Sequence, residues 1–473
     1  MSPPLRLLAL ACLLAAVLPA GTTARTFTVH PEPAPPIREQ GSARDRAVIA
    51  DSIWVDSLRY VLTIPAGPFT FGETVQMVFT ITNFGGAMHR IHFPTDCHDW
   101  FGVFPDSCGP GEPGCESAWA PSMWCNQMET VIDLDPGETE EFLLDWRQHT
   151  SEGTRAPSGP YTAYATTYND AFYDVLLSVP FEIVPYGPEP IQEALDLAQF
   201  GDSVLVAPGV YHENLVLHER HQGIALLADG PAGETILDGG GRGSVVYVYG
   251  DHEDSRLEGF TIRNGFEAYS RDLEWADRRC GGGISLLGPI GVPIRRCIIR
   301  DNLSDHGGGV TVDRDAVAPV IEQNLFLDNV ATAEGGGVYI GYTGSVPRSR
   351  FFSNTFAGNR AARGAGAFDR GGTGGALAFN NIFYRNEATE SGGALECESE
   401  PMFNYCNAFW ENLPDDTGAC SHEDRPLFAD PLFCAPDRDD YRLQNGSPCD
   451  ALNQPVCGQI GAYGIGCAPA SVE

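Results

Sequence analysis

Phe326-Leu-Asp-Asn329, Gly335-Gly-Gly-Val338, Phe356-Ala-Gly-Asn359 and Gly364-Ala-Gly366 follow one another along the chain as two alternating motifs. The glycine motif starts at Gly281, Gly307, Gly335 and Gly364, with steps of 26, 28 and 29 residues, and continues at Gly392-Gly393. Phe-x-x-Asn recurs at Phe383 and Phe409, and Ile299 takes the Phe place once. Its asparagines, Asn302, Asn329, Asn359, Asn386 and Asn412, stand 27, 30, 27 and 26 residues apart. About 27 residues cannot close a core alone, but they can form one coil of short strands that stacks on the next at ~4.8 Å. Phe326, Phe356, Phe383 and Phe409 then stack inside. Each Asn is expected at a tight bend, where it tolerates left-handed backbone and bonds to its equivalent one coil away. Glycine permits the other sharp corner. The β-branched runs and glycine corners argue against a helical solenoid.

The same glycine count divides the chain. Residues 1–186 hold 13 glycines and residues 187–473 hold 41. Before the boundary, Val75–Thr82, Glu141–Trp146, Tyr161–Tyr168 and Val175–Val184 have strand character, with turn signals such as Asp135-Pro-Gly-Glu138 between them. That spacing predicts an antiparallel β-sandwich over 51–185. Residues 25–50, rich in proline and charge, read as a flexible leader. Residues 1–24 read as a secretory signal peptide: Arg6, an apolar run from Leu7 to Leu18, then small residues up to a cleavage point between Ala20 and Arg25. That run is too short to span a membrane. The expected destination is secretion or the cell surface. Residues 468–473 are a tail.

Composition excludes several functions. The 473 residues carry a net charge of −34, which opposes nucleic-acid binding. All 29 basic residues are arginine, so no site can use a lysine nucleophile, base or P-loop cation. Thirteen of the 14 cysteines lie beyond the leader. Their spacings are too wide for zinc knuckles, and in an exported protein they read as disulfides. Cys97, Cys108, Cys115 and Cys125 form one group, and Cys449, Cys457 and Cys467 are candidates near the C-terminus.

Two resemblances rest on these residues. The paired Gly-Gly-Ala/Ile/Val and Phe-x-x-Asn motifs, among them Gly392-Gly-Ala-Leu395, resemble the polymorphic outer-membrane protein repeats. The lead-in Ile191–Ala198, Gly201–Tyr211 and Leu257–Gly265 is similar to the pectin-lyase-like superfamily. Together they imply a right-handed parallel β-helix over 188–467, with Ile191, Ala194, Leu195 and Ala198 on a helix that plugs its open end. Phe428–Phe433, Asn445–Cys449 and Gly461–Gly466 look like the closing segment of secreted β-helices, whose cysteines would staple the last coil. Thr82-Asn83, Phe93-Pro-Thr95, Asp99-Trp-Phe101, Trp119, Leu134–Glu138, Trp146 and Gly159-Pro-Tyr161 resemble the BsuPI-type proteinase inhibitor family, an immunoglobulin-like sandwich. The insertion Pro105–Cys125 departs from that family. A stapled loop is its natural reading, and Cys97–Cys125 around Cys108–Cys115 is one pairing that would close it.

The search for chemistry leaves one break. The hydrolase set of the pectin-lyase-like fold is missing, since the chain has no Asn-Thr-Asp, no Gly-His-Gly and no lysine. Asp415-Asp416 and Asp439-Asp440 read as solvated turns, and so does Asp251-His-Glu-Asp254. From Asn264 to Asn302 the repeat carries about 11 extra residues. Arg271 in that break, with Asp305 and His306 one coil on, forms the fallback catalytic set of a polysaccharide lyase. Asp313 and Asp315 are the Ca²⁺ candidates, and no other cofactor is expected. Arg363 reads as an exposed position. The preferred reading is an all-β, exported, monomeric protein, sandwich then solenoid, that binds extracellular glycans or proteins. A lyase and a secreted proteinase inhibitor are the alternatives.

Overall fold

The computed structural model describes residues 24–31, 48–70, 73–93, 100–105, 130–146, 148, 156, 159–169, 172–184, 189–250, 252, 254–267, 281–287, 292–312, 319–341, 349–371, 375–398, 402–420 and 423–467. Among them the fold is all-β apart from one α-helix and two single-turn 3₁₀ segments.

The glycine-rich half is a parallel β-solenoid. One coil shows the plan. Val320–Glu322 lies in a first wall, Leu325–Leu327 in a second, Val330–Glu334 in a third and Val338–Ile340 in a fourth. Each strand pairs in parallel with its counterpart one coil away, and among the described residues the walls hold ten, nine, five and seven strands. In the second wall Ile299, Phe326, Phe356, Phe383 and Phe409 are in register and fully buried. The four rings stack nearly parallel at centroid spacings of 4.6, 4.9 and 5.5 Å. The stack ends on Phe428, 5.7 Å from Phe409 and 64% exposed.

The Asn motif does something other than expected at the bend. The left-handed residue is the one before each asparagine: Asp301, Asp328, Gly358, Arg385 and Glu411, with φ between 51° and 67°. The asparagines themselves are buried and form a ladder. Asn329 Nδ2 donates to Asn359 Oδ1 at 3.0 Å and to the Ile299 carbonyl at 2.8 Å, and Asn359, Asn386 and Asn412 continue in the same way. At the end Asn412 donates to Asp416 Oδ1 at 2.9 Å. Asp416 is therefore the ladder's terminal acceptor rather than a solvated turn, and burial raises its pKa. At the glycine corner, Gly335 has φ +72°. A Cβ on Gly337 would stand 2.5 Å from the Gly366 carbonyl, so only glycine lets the coils approach there.

Both ends of the solenoid depart from expectation. Thr26–Val29 is not a flexible leader. It pairs in parallel with Ser203–Val206 as the outermost strand of the first wall, with Val29 buried. Its Thr-Phe-Thr-Val alternation suits a strand, and proline begins only at Pro31. The helix Pro190–Leu197 then covers the core with Ile191, Ala194 and Leu195. Its Ile191 and Gln192 N–H groups donate to the Glu213 carboxylate at 3.2 and 3.0 Å.

The closing segment does more than staple the last coil. Phe433–Ala435, Asp440–Gln444 and Ile465–Cys467 form a small sheet. Phe433, Leu443, Cys449 and Ile460 pack on the outward Leu325, Leu327, Ala357, Ile382, Tyr384 and Ala408, so the segment runs back over the second wall as a strap. Cys406–Cys457 ties the strap to a coil, Cys434–Cys467 closes it on itself, and Cys397–Cys420 joins the last strand of the fourth wall to a later loop. Cys449, expected among the bridging cysteines, is instead a buried free thiol that burial pushes up to about 12. Asp439 does sit exposed in a turn, and from there it pairs with Arg300 of the second wall.

Between Thr26–Val29 and the helix lie, among the described residues, two four-stranded sheets and the two-stranded pair His89–Phe93 with Thr130–Leu134. Val48–Val55, Leu58–Pro65, Val75–Asn83 and Thr139–Trp146 are antiparallel neighbours. The other sheet orders Phe69–Thr70, Phe172–Val184, Gly159–Asn169 and Trp100–Pro105. Leu58–Pro65 alternates buried and half-buried residues, as a strand with one core face must. Leu62, Phe79 and Trp146 of one sheet share an apolar core with Phe101, Tyr161 and Phe181 of the other. These sheets are thus an insertion between the solenoid's first strand and the rest.

Candidate functional site

The predicted residues Asp305 and His306 lie at the outer corner between the third and fourth walls. His306, Glu334 and Arg363 each stand directly before a glycine corner and occupy the same register position on successive coils. His306 Nδ1 is 3.5 Å from Glu334 Oε2, and Glu334 is ion-paired with Arg363. Arg363 lies 3.7 Å and Arg370 3.2 Å from the Glu398 carboxylate. Arg363 is thus half-buried and paired, not exposed as the sequence implied. The outward Tyr339 and Phe368 form the floor, fully buried and stacked at 5.7 Å. His306 packs against Tyr339 at 5.1 Å, and the Arg363 guanidinium sits 4.9 Å over Phe368. Asp305 accepts a hydrogen bond from the Thr332 hydroxyl.

The charge state limits the chemistry. Burial alone would raise Glu334, but His306 and Arg363 bring it down to about 2. A carboxylate held there stays ionised near neutrality and has no proton to give, whereas an acid catalyst needs its pKa pushed toward the working pH. The corner is a row of paired polar side chains across three coils. Arg271, Asp313 and Asp315 lie outside the described residues, as do Cys97, Cys108, Cys115 and Cys125. His252 is not solvated either: it is fully buried, with Nε2 3.1 Å from the Tyr249 carbonyl.

Two features escaped the sequence reading. A second ladder, Asn324, Asn354, Asn381 and Asn407, runs through the bend between the first and second walls, with Nδ2 to Oδ1 distances of 3.0–3.1 Å. Its signal was available, since each of these residues stands two places before a repeat phenylalanine. The other is an aromatic row on the outside of the first wall. Phe352, Phe379 and Tyr405 occupy one register column and are half-buried. Phe352 and Phe379 stack at 5.5 Å, and Tyr405 meets Phe379 edge-on at 6.1 Å. Phe403, one column over, is 47% exposed. Earlier in the Phe352 column, Arg295 pairs with Glu322 at 3.2 Å, and Arg296 is bonded to Glu258.

No known protein family profile matches the chain, and no curated protein matches it. Several solved structures do. A β-glucosidase from Listeria innocua in complex with glucose is 10% identical over 29% of this chain and 16% of its own, with a TM-score of 0.17. β-Glucosidase 3B from Thermotoga neapolitana with α-D-glucose is 16% identical over 28% of this chain and 16% of its own, also at 0.17. The CARDB domain of a Pyrococcus furiosus protein in complex with di-metal ions is 14% identical over 25% of this chain and 83% of its own, at 0.14. The chain thus spans about one-sixth of the first of these structures, and likenesses at such scores carry no argument. Among the described residues no group of three or more His, Cys, Asp or Glu side chains could hold a metal ion, and no helix is long and apolar enough to cross a membrane.

Proposed function

We propose that the chain is an exported binding protein whose solenoid is a right-handed parallel β-helix of the pectin-lyase-like kind. Its inserted sheets form an immunoglobulin-like sandwich with a structural role, and its ligand is an extracellular glycan. The observation that supports this reading is the aromatic row Phe352, Phe379 and Tyr405, with exposed Phe403 beside it. Aromatic rings offer rigid apolar faces to the C–H faces of pyranose rings at little entropic cost. The row advances one ring per coil, a step that a linear glycan can follow. The net charge of −34 repels a polyanion, which favours a neutral chain over pectate or alginate.

A glycan array probed with the full chain tests the reading. Binding to neutral glycans should fall at least about tenfold in Phe379→Ala, since one well-packed aromatic contact is worth about 1.4 kcal/mol or more. Binding untouched by both Phe379→Ala and Phe403→Ala would place the ligand elsewhere.

A further inference from the structure

Asp202 stands just past the capping helix and is 4% exposed. Its carboxylate accepts the Gln199 N–H at 3.0 Å and three donors from a single residue. Arg25 gives its backbone N to Oδ1 at 2.7 Å, and Nε and Nη2 to Oδ2 at 3.0 and 2.7 Å. Nη2 also reaches the Leu197 carbonyl at the helix C-terminus. The next link, Ser203 N to the Arg25 carbonyl at 2.9 Å, opens the strand pairing of Thr26–Val29. The carboxylate is therefore centred on the main-chain nitrogen of Arg25 as well as its side chain, and 2.7 Å belongs to charge-assisted bonds. On the other side of that nitrogen, Ala24 is exposed, and Thr22 and Ala24 supply the small residues an export peptidase cuts behind.

We infer that the leader is cut between Ala24 and Arg25, and that the new α-ammonium of Arg25 is the native partner of Asp202. In the cut, water cleaves the Ala24 C–N bond. Its hydroxyl goes to the Ala24 carbonyl carbon and its hydrogen to the Arg25 nitrogen, which then takes a proton from solvent. The neutral N–H facing Asp202 becomes a cation without any movement of the chain. Processing thereby locks the first strand and the helix cap of the solenoid. The inference rests on the export reading and adds the bond that is cut and what its product does.

The sign of the pH effect follows. Asp202 holds the α-amine above its free value of about 7.7–8.0, so the added stability is complete below that value and fades as pH rises through the raised one. Intact mass and N-terminal sequencing of the exported protein should find Arg25 first. At pH 6 that protein should melt about 1–2 °C above the same chain retaining Ala24. The gap should close at high pH and vanish in Asp202→Asn. Should that variant fail to fold, blocking the Arg25 amine by acetylation makes the same comparison in the wild-type sequence. Equal melting of free and extended or acetylated chains overturns the inference. An exported chain that begins elsewhere overturns it alone, whereas a chain retained uncut in the cell overturns the export reading as well.

Discussion

Phe356→Ala tests the solenoid's inner register most directly. The ring is fully buried between Phe326 at 4.6 Å and Phe383 at 4.9 Å, nearly parallel to both. Removing a core phenylalanine costs about 3–5 kcal/mol, the spread reflecting how far the site can collapse. Little collapse is available here. Thr355–Ala357 is hydrogen-bonded to a strand on each side, and the ring lies so close to Gly337 that a Cβ added there would stand 2.9 Å from it. Two ring contacts are also lost, about 0.5–1.5 kcal/mol each beyond area. The expected loss is therefore at the upper end, about 4–5 kcal/mol, or roughly 4–8 °C in Tm for a unit of this size. The control is Arg360→Ala, four residues on. Its side chain is 59% exposed and its 3.6 Å pair with Glu387 is a surface ion pair worth about 0–1 kcal/mol. Denaturant and thermal unfolding of the two variants decide the matter. A Phe356→Ala loss below about 1 kcal/mol, or equal to that of Arg360→Ala, would mean that the ring is not between its neighbours.

Two further outcomes follow from the strap and the corner. Replacing Cys406 and Cys457 together by Ala opens a link spanning 51 residues and should lower stability by about 4 kcal/mol in the chain-entropy account, with limited proteolysis then cutting first within 427–467. Unchanged proteolysis would show that apolar packing alone holds the strap. Glu334 has its folded pKa depressed to about 2, so its contribution is present above the unfolded value of about 4.3 and is lost as pH falls toward 2. Glu334→Gln should remove that part of the acid unfolding profile, and an unchanged profile would refute the pairing.

The period was legible because the inner side of a coil repeats strictly: a phenylalanine, an asparagine or a glycine out of place leaves a cavity, an unpaired amide or a clash. The bend was misassigned for a physical reason. Residues of quite different length before the asparagine take left-handed backbone when the ladder fixes the turn, so Asp301, Arg385 and Glu411 carry no common signature. Outward positions repeat in place but not in kind. His306, Glu334 and Arg363 share one register site yet differ in chemistry, so aligning the residue before each glycine corner would have found them, whereas searching for a conserved type could not. The first strand was hidden by the proline that follows it. The strap was hidden because a segment pairing with a wall's outside has no period of its own.

The covering of the walls narrows where a ligand can sit. The second wall is overlaid by the strap from Leu325 to Ala408. The fourth wall's outward column, from Val216 and Tyr247 through Tyr339 and Phe368 to Glu396, is less than 10% exposed throughout. The third wall presents exposed Arg360 and Glu387, paired with each other, beside small residues such as Ala361 and Ala388. Among the described residues the first wall alone combines half-buried rings in a column with an exposed aromatic beside them. Half-buried rings lose their remaining apolar contact with water when something binds over them. A regular inner lattice that fixes ring after ring at one per coil is well suited to a ligand that is itself a repeating chain, and this geometric match ties the solenoid's period to the binding role proposed above.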